Sequence, residues 1–293
     1  MHNAVPLEHI VKRTNIQELV LLLPIAHYHD APGIAYDESQ IMALGAFTGL
    51  TKLTLECDIK TDVNDRQRVR TVVANCTQLT HLELSVKMGS ADIFATAMTK
   101  GVILPLKHLL LRNTTDGLFD HAVISKQLRK LETFGLVNAR VGNEGNDTHM
   151  DNVDWTFFQE MSIFPTSLLV ETPFTGTHPF HAYLGAHPGL ESLTIRNVED
   201  WHPSSGTTFG CELVQILRTR HANSLRELDF LPHQVRRTVA FTAHLSVFGL
   251  LHSFRHLQYV CLRMNWDALP KGFCKMAEMD QEAGHAFFFL YLY

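Results

Sequence analysis

The sequence predicts an α/β fold of stacked repeats, a solenoid with parallel strands on its concave face and helices on its convex face. Three observations predict it. Apolar residues recur at a step of three followed by a step of two, the step itself recurs at a quasi-regular interval, and helical patterns lie between the copies. A helix spaces its apolar residues by three and four, and a strand spaces them by two. Three followed by two suits a chain that turns into a short strand and buries all three residues on one side.

The step opens at Ile16, Leu19, Leu21 and returns at Leu50, Leu53, Leu55, then at Leu79, Leu82, Leu84. It continues at Leu106, Leu109, Leu111, at Leu131, Phe134, Leu136 and at Pro165, Leu168, Val170. The last three copies are Leu190, Leu193, Ile195, then Leu225, Leu228, Phe230, then Leu257, Val260, Leu262. Successive copies start 25 to 35 residues apart, about 30 on average. About nine irregular repeats therefore occupy residues 16–265 of one domain. A capping helix is expected over 1–15, with Pro6 in its first turn, and a segment over 266–293 ends in an apolar strand.

The returns between strands read as helices. "NDRQRVRTVVANC" sets Val69, Val72, Val73 and Cys76 on one stripe, and "SADIFATAM" opens on Ser90 as N-cap with Asp92 in the first turn. "CELVQILRTRHANSL" and "FTAHLSVFGLLHSF" carry similar apolar sets. Such a unit cannot bury its own apolar face, whereas stacked copies form a continuous core. The stretches 138–155, 171–180 and 197–210, rich in Gly, Asn, Thr and Pro, read as surface loops.

The residues "CTQLTHLEL", "LTKLTL", "LKHLLLRN", "LESLTIRN" and "LRELDF" resemble leucine-rich repeats, whose signature is L-x-x-L-x-L-x-x-N/C-x-L. The interval, the helical returns and Cys76 three residues ahead of Leu79 are similar to the ribonuclease-inhibitor-like and cysteine-containing subtypes. The uneven lengths resemble the substrate-binding regions of F-box proteins, especially divergent fungal ones. That resemblance implies a horseshoe, no cofactor, and a protein partner. Asn113, Asn138 and Asn197 fall seven residues after the first leucine rather than eight, so a regular asparagine ladder is not expected.

In such a fold the residues between the strand leucines face the concave side. One row is Glu18, Lys52, His81, His108, Thr133, Ser167, Ser192, Glu227 and Tyr259, and the next is Val20, Thr54, Glu83, Leu110, Gly135, Leu169, Thr194, Asp229 and Cys261. A third holds Leu22, Glu56, Ser85, Arg112, Val137, Glu171, Arg196, Leu231 and Arg263. The candidate protein-binding residues are Lys52, Thr54, His81, Glu83, His108, Arg112, Thr194, Arg196, Glu227, Asp229, Tyr259 and Arg263. The same mixture of charge also suits an ordinary solvated sheet face.

Other chemistries find little support. The net charge is −5 and the basic stretches "KQLRK" and "QVRR" are short, which argues against nucleic acid or an acidic membrane. The amino terminus lacks a signal-peptide core, and the apolar runs 19–26 and 286–293 are too short to span a bilayer. The expectation is a soluble protein of cytoplasm or nucleus, in which sequons at Asn75, Asn113 and Asn146 are chance. Cys57, Cys76, Cys211, Cys261 and Cys274 are scattered, with Cys76 read as a packing residue. Zinc would need three or four converging groups. His27, His29 and Asp30, or His178, His181 and His187, are the nearest sets, and both read better as exposed or capping histidines. No nucleophile elbow, dinucleotide turn or P-loop is found, and "RVGNEGND" reads as a flexible loop. Trp155, Trp201 and Trp266 lie in or near loops, as partner anchors or as covers for the core.

The F-box itself is not evident. "VPLEHI" faintly resembles its opening, but the first repeat begins at residue 16. A Skp1-type adaptor is therefore expected only where an F-box is cryptic or supplied from elsewhere. Three readings stand: a non-catalytic protein-binding module, which the resemblance extends to the substrate receptor of an SCF-type ubiquitin ligase; a degenerate or truncated paralogue; and a histidine-based metalloenzyme.

Overall fold

A computed structural model describes residues 16–22, 48–56, 63–85, 90–112, 122–137, 155–171, 178–196, 212–213, 215–231, 253–264 and 287–292. They fall into two compact units, divided in sequence between Leu131 and Glu132. The fold is α/β, with every described strand pair parallel.

The first unit runs β1 (Glu18–Leu22), β2 (Lys52–Glu56), α1 (Val63–Asn75), β3 (His81–Ser85), α2 (Ser90–Thr99), β4 (His108–Arg112) and α3 (Ala122–Leu128). The strands β1 to β4 pair in sequence order. The second unit runs β5 (Thr133–Val137), α4 (Trp155–Glu160), β6 (Ser167–Glu171), α5 (His178–Ala186), β7 (Ser192–Arg196), β8 (Glu227–Leu231), β9 (Tyr259–Met264) and β10 (Phe287–Leu292). Its strands also pair in order, and residues 215–220 are helical between β7 and β8.

Each strand from β1 to β9 begins two residues after the first apolar residue of its step. The hydrogen bonds explain why. The residue just before a strand turns its carbonyl toward the next repeat, where it accepts from two successive amides. Thr51 O takes Thr80 N at 2.8 Å and His81 N at 3.0 Å; Thr166 O takes Glu191 N at 2.8 Å and Ser192 N at 3.1 Å. That bend consumes one extra residue between the first and second buried side chains, and the spacing of three results. Threonine reinforces the bend at Thr51, Thr80 and Thr166, whose hydroxyls donate to Gln17 O, Thr51 O and Glu132 O of the preceding repeat.

The core sits under the strands. Leu50, Leu53, Leu79, Leu82, Leu84, Leu106, Leu109 and Leu111 are buried in the first unit with Val69, Val72, Val73 and Cys76 of the α1 stripe. Each such aliphatic side chain contributes about 2 kcal/mol by burial. The Arg70–Asp92 ion pair between α1 and α2 is part-exposed and contributes up to about 1 kcal/mol, so packing dominates. The second unit buries Phe134, Leu168, Val170, Leu193, Ile195, Leu228 and Val260. It adds an aromatic cluster in which Trp155 meets Phe180 at 4.8 Å and Tyr183 at 5.0 Å between ring centroids.

Two helices end in the same turn. After α2, Gly101 N bonds Met98 O and Val102 N bonds Ala97 O, with Gly101 at φ 69°. After α4, Ser162 N bonds Gln159 O and Ile163 N bonds Phe158 O, with Ser162 at φ 54°. Both are Schellman closures that need a left-handed residue, and a serine holds the second one against its steric preference.

The structure departs from the sequence expectation at the ends of two loops and at one helix start. The loops expected to run to 155 and 180 give way to helices at Trp155 and His178, because apolar residues at their ends pack into the core. The apolar strand expected at the end of 266–293 is β10, which pairs with β9 as one strand beyond the nine repeats, with Phe288 opposite Val260 and Leu290 opposite Leu262. His285 stands where the first apolar residue of that step would be, which breaks the pattern. Ser90, read as the N-cap, is the first residue of α2, a shift of one position. The expected capping helix, residues 241–252 of the helix expected over 241–254, the loop at 140–147 and Asn113, Asn138 and Asn197 lie outside the described residues, while Ser253 and Phe254 at the end of that expected helix are not helical. Among the described residues no helix is long and apolar enough to cross a membrane.

Candidate protein-interaction face

Alternation along a strand sends the leucines inward and the residues between them outward. In the first unit the register brings the expected residues together. Lys52, His81 and His108 stand opposite one another across β2, β3 and β4, as do Thr54, Glu83 and Leu110. Lys52 Nζ lies 3.6 Å from Glu18 Oε2. The His81 and His108 rings stack with centroids 4.0 Å apart and planes 16° apart. Thr80 Oγ1 donates its one proton to Thr51 O, so His81 Nδ1, 2.8 Å away, donates to that hydroxyl. This fixes the tautomer of His81 and holds its ring in place.

Arg112 reaches back diagonally, its Nε donating to Glu83 Oε1 at 2.9 Å. Both ends are over a third exposed, so the pair adds little stability but holds two opposite charges at set places. Thr54 is half-buried, and Val20, in the same row, is 60% exposed. The face thus carries charges of both signs, two stacked imidazoles and an exposed valine on paired strands.

The second unit is different. Ser192 Oγ donates to Glu227 Oε2 at 2.9 Å, and Thr194 and Tyr259 are half-buried. Asp229 and Cys261, opposite one another on β8 and β9, are buried, as are Gly135 and Val137 on β5. Asp229 is thus not an exposed contact residue. Alternation sets the side to which a residue points, not what lies over that side. Arg196 and Arg263 hold the expected positions on β7 and β9, and their side chains lie outside the described residues.

Among the described residues no three His, Cys, Asp or Glu groups are placed to hold an ion. His27, His29 and Asp30 and the His178 side chain lie outside the description. His181 and His187 are neither exposed nor capping: both are buried, His187 on the inward stripe of Phe180, Tyr183 and Leu184. His181 Nδ1 faces Glu212 Oε2 at 3.2 Å, while His187 spends its nitrogens on backbone groups.

Trp155 covers the core and is no surface anchor; Trp201 and Trp266 lie outside the description. Cys76 is fully buried, and burial pushes its thiol up to about 11, which leaves it a packing residue.

Three buried polar residues, Gln127, His221 and the His187 expected to be exposed or capping, bond backbone across repeats. Gln127 of α3 donates from Nε2 to Val102 O at 2.6 Å and accepts at Oε1 from Leu104 N at 2.7 Å. His221 contacts Leu184 O with Nε2 at 2.9 Å and accepts at Nδ1 from Leu190 N at 3.1 Å. His187 contacts Pro165 O with Nε2 at 2.9 Å and accepts at Nδ1 from Gly189 N at 3.2 Å. Their places carry a signal. His187 precedes Leu190 by three, as Cys76 precedes Leu79, and His221 precedes Leu225 by four, as Gln127 precedes Leu131.

No protein-family model matches the chain, and no curated protein matches it either.

Proposed function

We propose that this chain is a leucine-rich-repeat protein of the ribonuclease-inhibitor-like kind, and that the outer face of β2 to β4 binds another protein without catalysis. The observation that carries this reading is the Lys52–His81–His108 row, backed by the Glu83–Arg112 pair. Five polar side chains of both signs sit in a fixed register on strands whose other face is fully packed. Rigid placement lowers the ordering cost of association, and opposite charges in set positions discriminate between partners. The sharper form, from the resemblance of the repeats, is a substrate receptor of an SCF-type ubiquitin ligase, with the adaptor contact made through an F-box supplied elsewhere.

Affinity capture of the tagged full chain, wild type against His81→Ala/His108→Ala/Arg112→Ala, tests the reading. The expected result is a set of proteins lost from the triple variant, whose fold is checked by circular dichroism. Adaptor and cullin among the proteins retained would support the ligase form. Identical recovery with both chains, or none with either, would overturn the face assignment.

A further inference from the structure

The second unit holds two consecutive repeats together with imidazoles where the first unit uses an amide. His221 and Gln127 occupy the same position relative to their strands and make the same two bonds. Each donates to one carbonyl and accepts from one amide in the connection that leads into the preceding strand, Leu184 O and Leu190 N for His221, Val102 O and Leu104 N for Gln127. The bonds fix the tautomer of both histidines. Nδ1 receives an amide proton, so it carries none, and Nε2 carries the proton that it gives to a carbonyl.

A second proton on either ring would have to sit on Nδ1 and point at Gly189 N–H or Leu190 N–H. Donor would face donor in a buried place, and the amide would lose its acceptor. The rings also lie near each other, with centroids 5.6 Å apart, so two imidazolium charges would repel. The groups facing them give no relief. Tyr183 packs edge-on against His187 and donates its hydroxyl to Ile163 O, and burial pushes it up, so it stays neutral. Phe164, which stacks on Tyr183, also packs edge-on against His187. Arg220, beside His221, disfavours a further positive charge. The nearby His181 carboxylate partner, Glu212, is engaged by His181 and half exposed.

We propose that His187 and His221 form a proton-operated lock on the repeats that end in β6, β7 and β8: neutral imidazoles close it, and acid opens it. The first unit has Cys76 and Gln127 at the corresponding places, and its imidazoles, His81 and His108, lie on the outer strand face and close no repeat. Burial lowers His187 to about 4 and lowers His221 also, so the closed form excludes protons that an opened form accepts. His187 alone gives an opening equilibrium about 30-fold larger at pH 5 than at pH 7.5.

Hydrogen–deuterium exchange of the full chain between pH 7.5 and 5, corrected for intrinsic exchange, tests this. Peptides over 178–196 and 215–231 are expected to lose at least tenfold protection as the pH falls, while those over 63–85 and 90–112 keep theirs. The variant His187→Gln/His221→Gln is expected to abolish the difference. Equal loss in both units, no loss in either, or an unchanged response in the variant would overturn the proposal. Should the double variant fail to fold, an NMR titration of the wild-type imidazoles decides. Both rings titrating well below their ordinary value in the folded chain would support the lock, and either titrating near it would overturn it.

Discussion

The two units share one plan and fill it with different chemistry. Both stack parallel strands in the same relative register, bend at the same carbonyl and end a helix in the same left-handed turn. The first packs mainly aliphatic side chains and closes with Cys76 and Gln127. The second adds Trp155, Phe157, Phe158, Phe180 and Tyr183 and closes with two histidines. The backbone plan is thus separate from the groups that satisfy it. An amide and a neutral imidazole are interchangeable as a donor–acceptor pair until a proton arrives.

The largest expected effect falls on the aromatic cluster. Trp155→Ala removes a ring that touches Phe158, Phe180 and Tyr183 and should destabilise the second unit by about 4 kcal/mol, leaving the first unit's exchange protection unchanged. Local exchange after the substitution checks it. Equal losses in both units would show that they unfold as one.

Acid gives the next effect. His187 lies below its unfolded value of 6.5 when folded, at about 4, so the unfolded chain binds the extra proton between those two limits. Stability from this group is complete above pH 6.5 and is lost as the pH falls toward 4, about 3 kcal/mol in all. Urea titrations from pH 7.5 to 4.5 should show the decline in the second unit.

In the first unit, Gln127→Ala strips partners from one buried and one part-buried backbone group and should cost about 2 kcal/mol, equally at pH 5 and pH 7.5. The smallest pair concerns the helix ends. Ser162→Gly should stabilise by about 1 kcal/mol, since it relieves a left-handed serine. Gly101→Ala should cost about as much, purely as backbone strain, because nothing lies within 4 Å of the added methyl. Thermal melts of both variants would show opposite shifts.

Much of this plan is legible in the sequence. Nine strands begin where the three-then-two step places them, because the step records the bend that the shared carbonyl enforces. The three outward rows follow from the same counting. What the spacing does not carry is the cover over a residue: Asp229 and Glu83 hold the same row, and only Asp229 is buried. Nor does it carry β10, where His285 stands in the first leucine's place, or the helix that begins at His178, where a Pro-Phe pair reads as loop. His187 could have been found. It stands in the place of Cys76, and a histidine at a packing position is a buried histidine that needs two backbone partners.

Exchanging the closing groups between the units tests the comparison most directly. A chain carrying Gln127→His, His187→Gln and His221→Gln would be followed by hydrogen–deuterium exchange at pH 7.5 and pH 5. The expected result is a transfer of acid sensitivity from residues 178–231 to residues 90–128, with both units protected at pH 7.5. Acid sensitivity that stays in the second unit after the exchange would contradict the account.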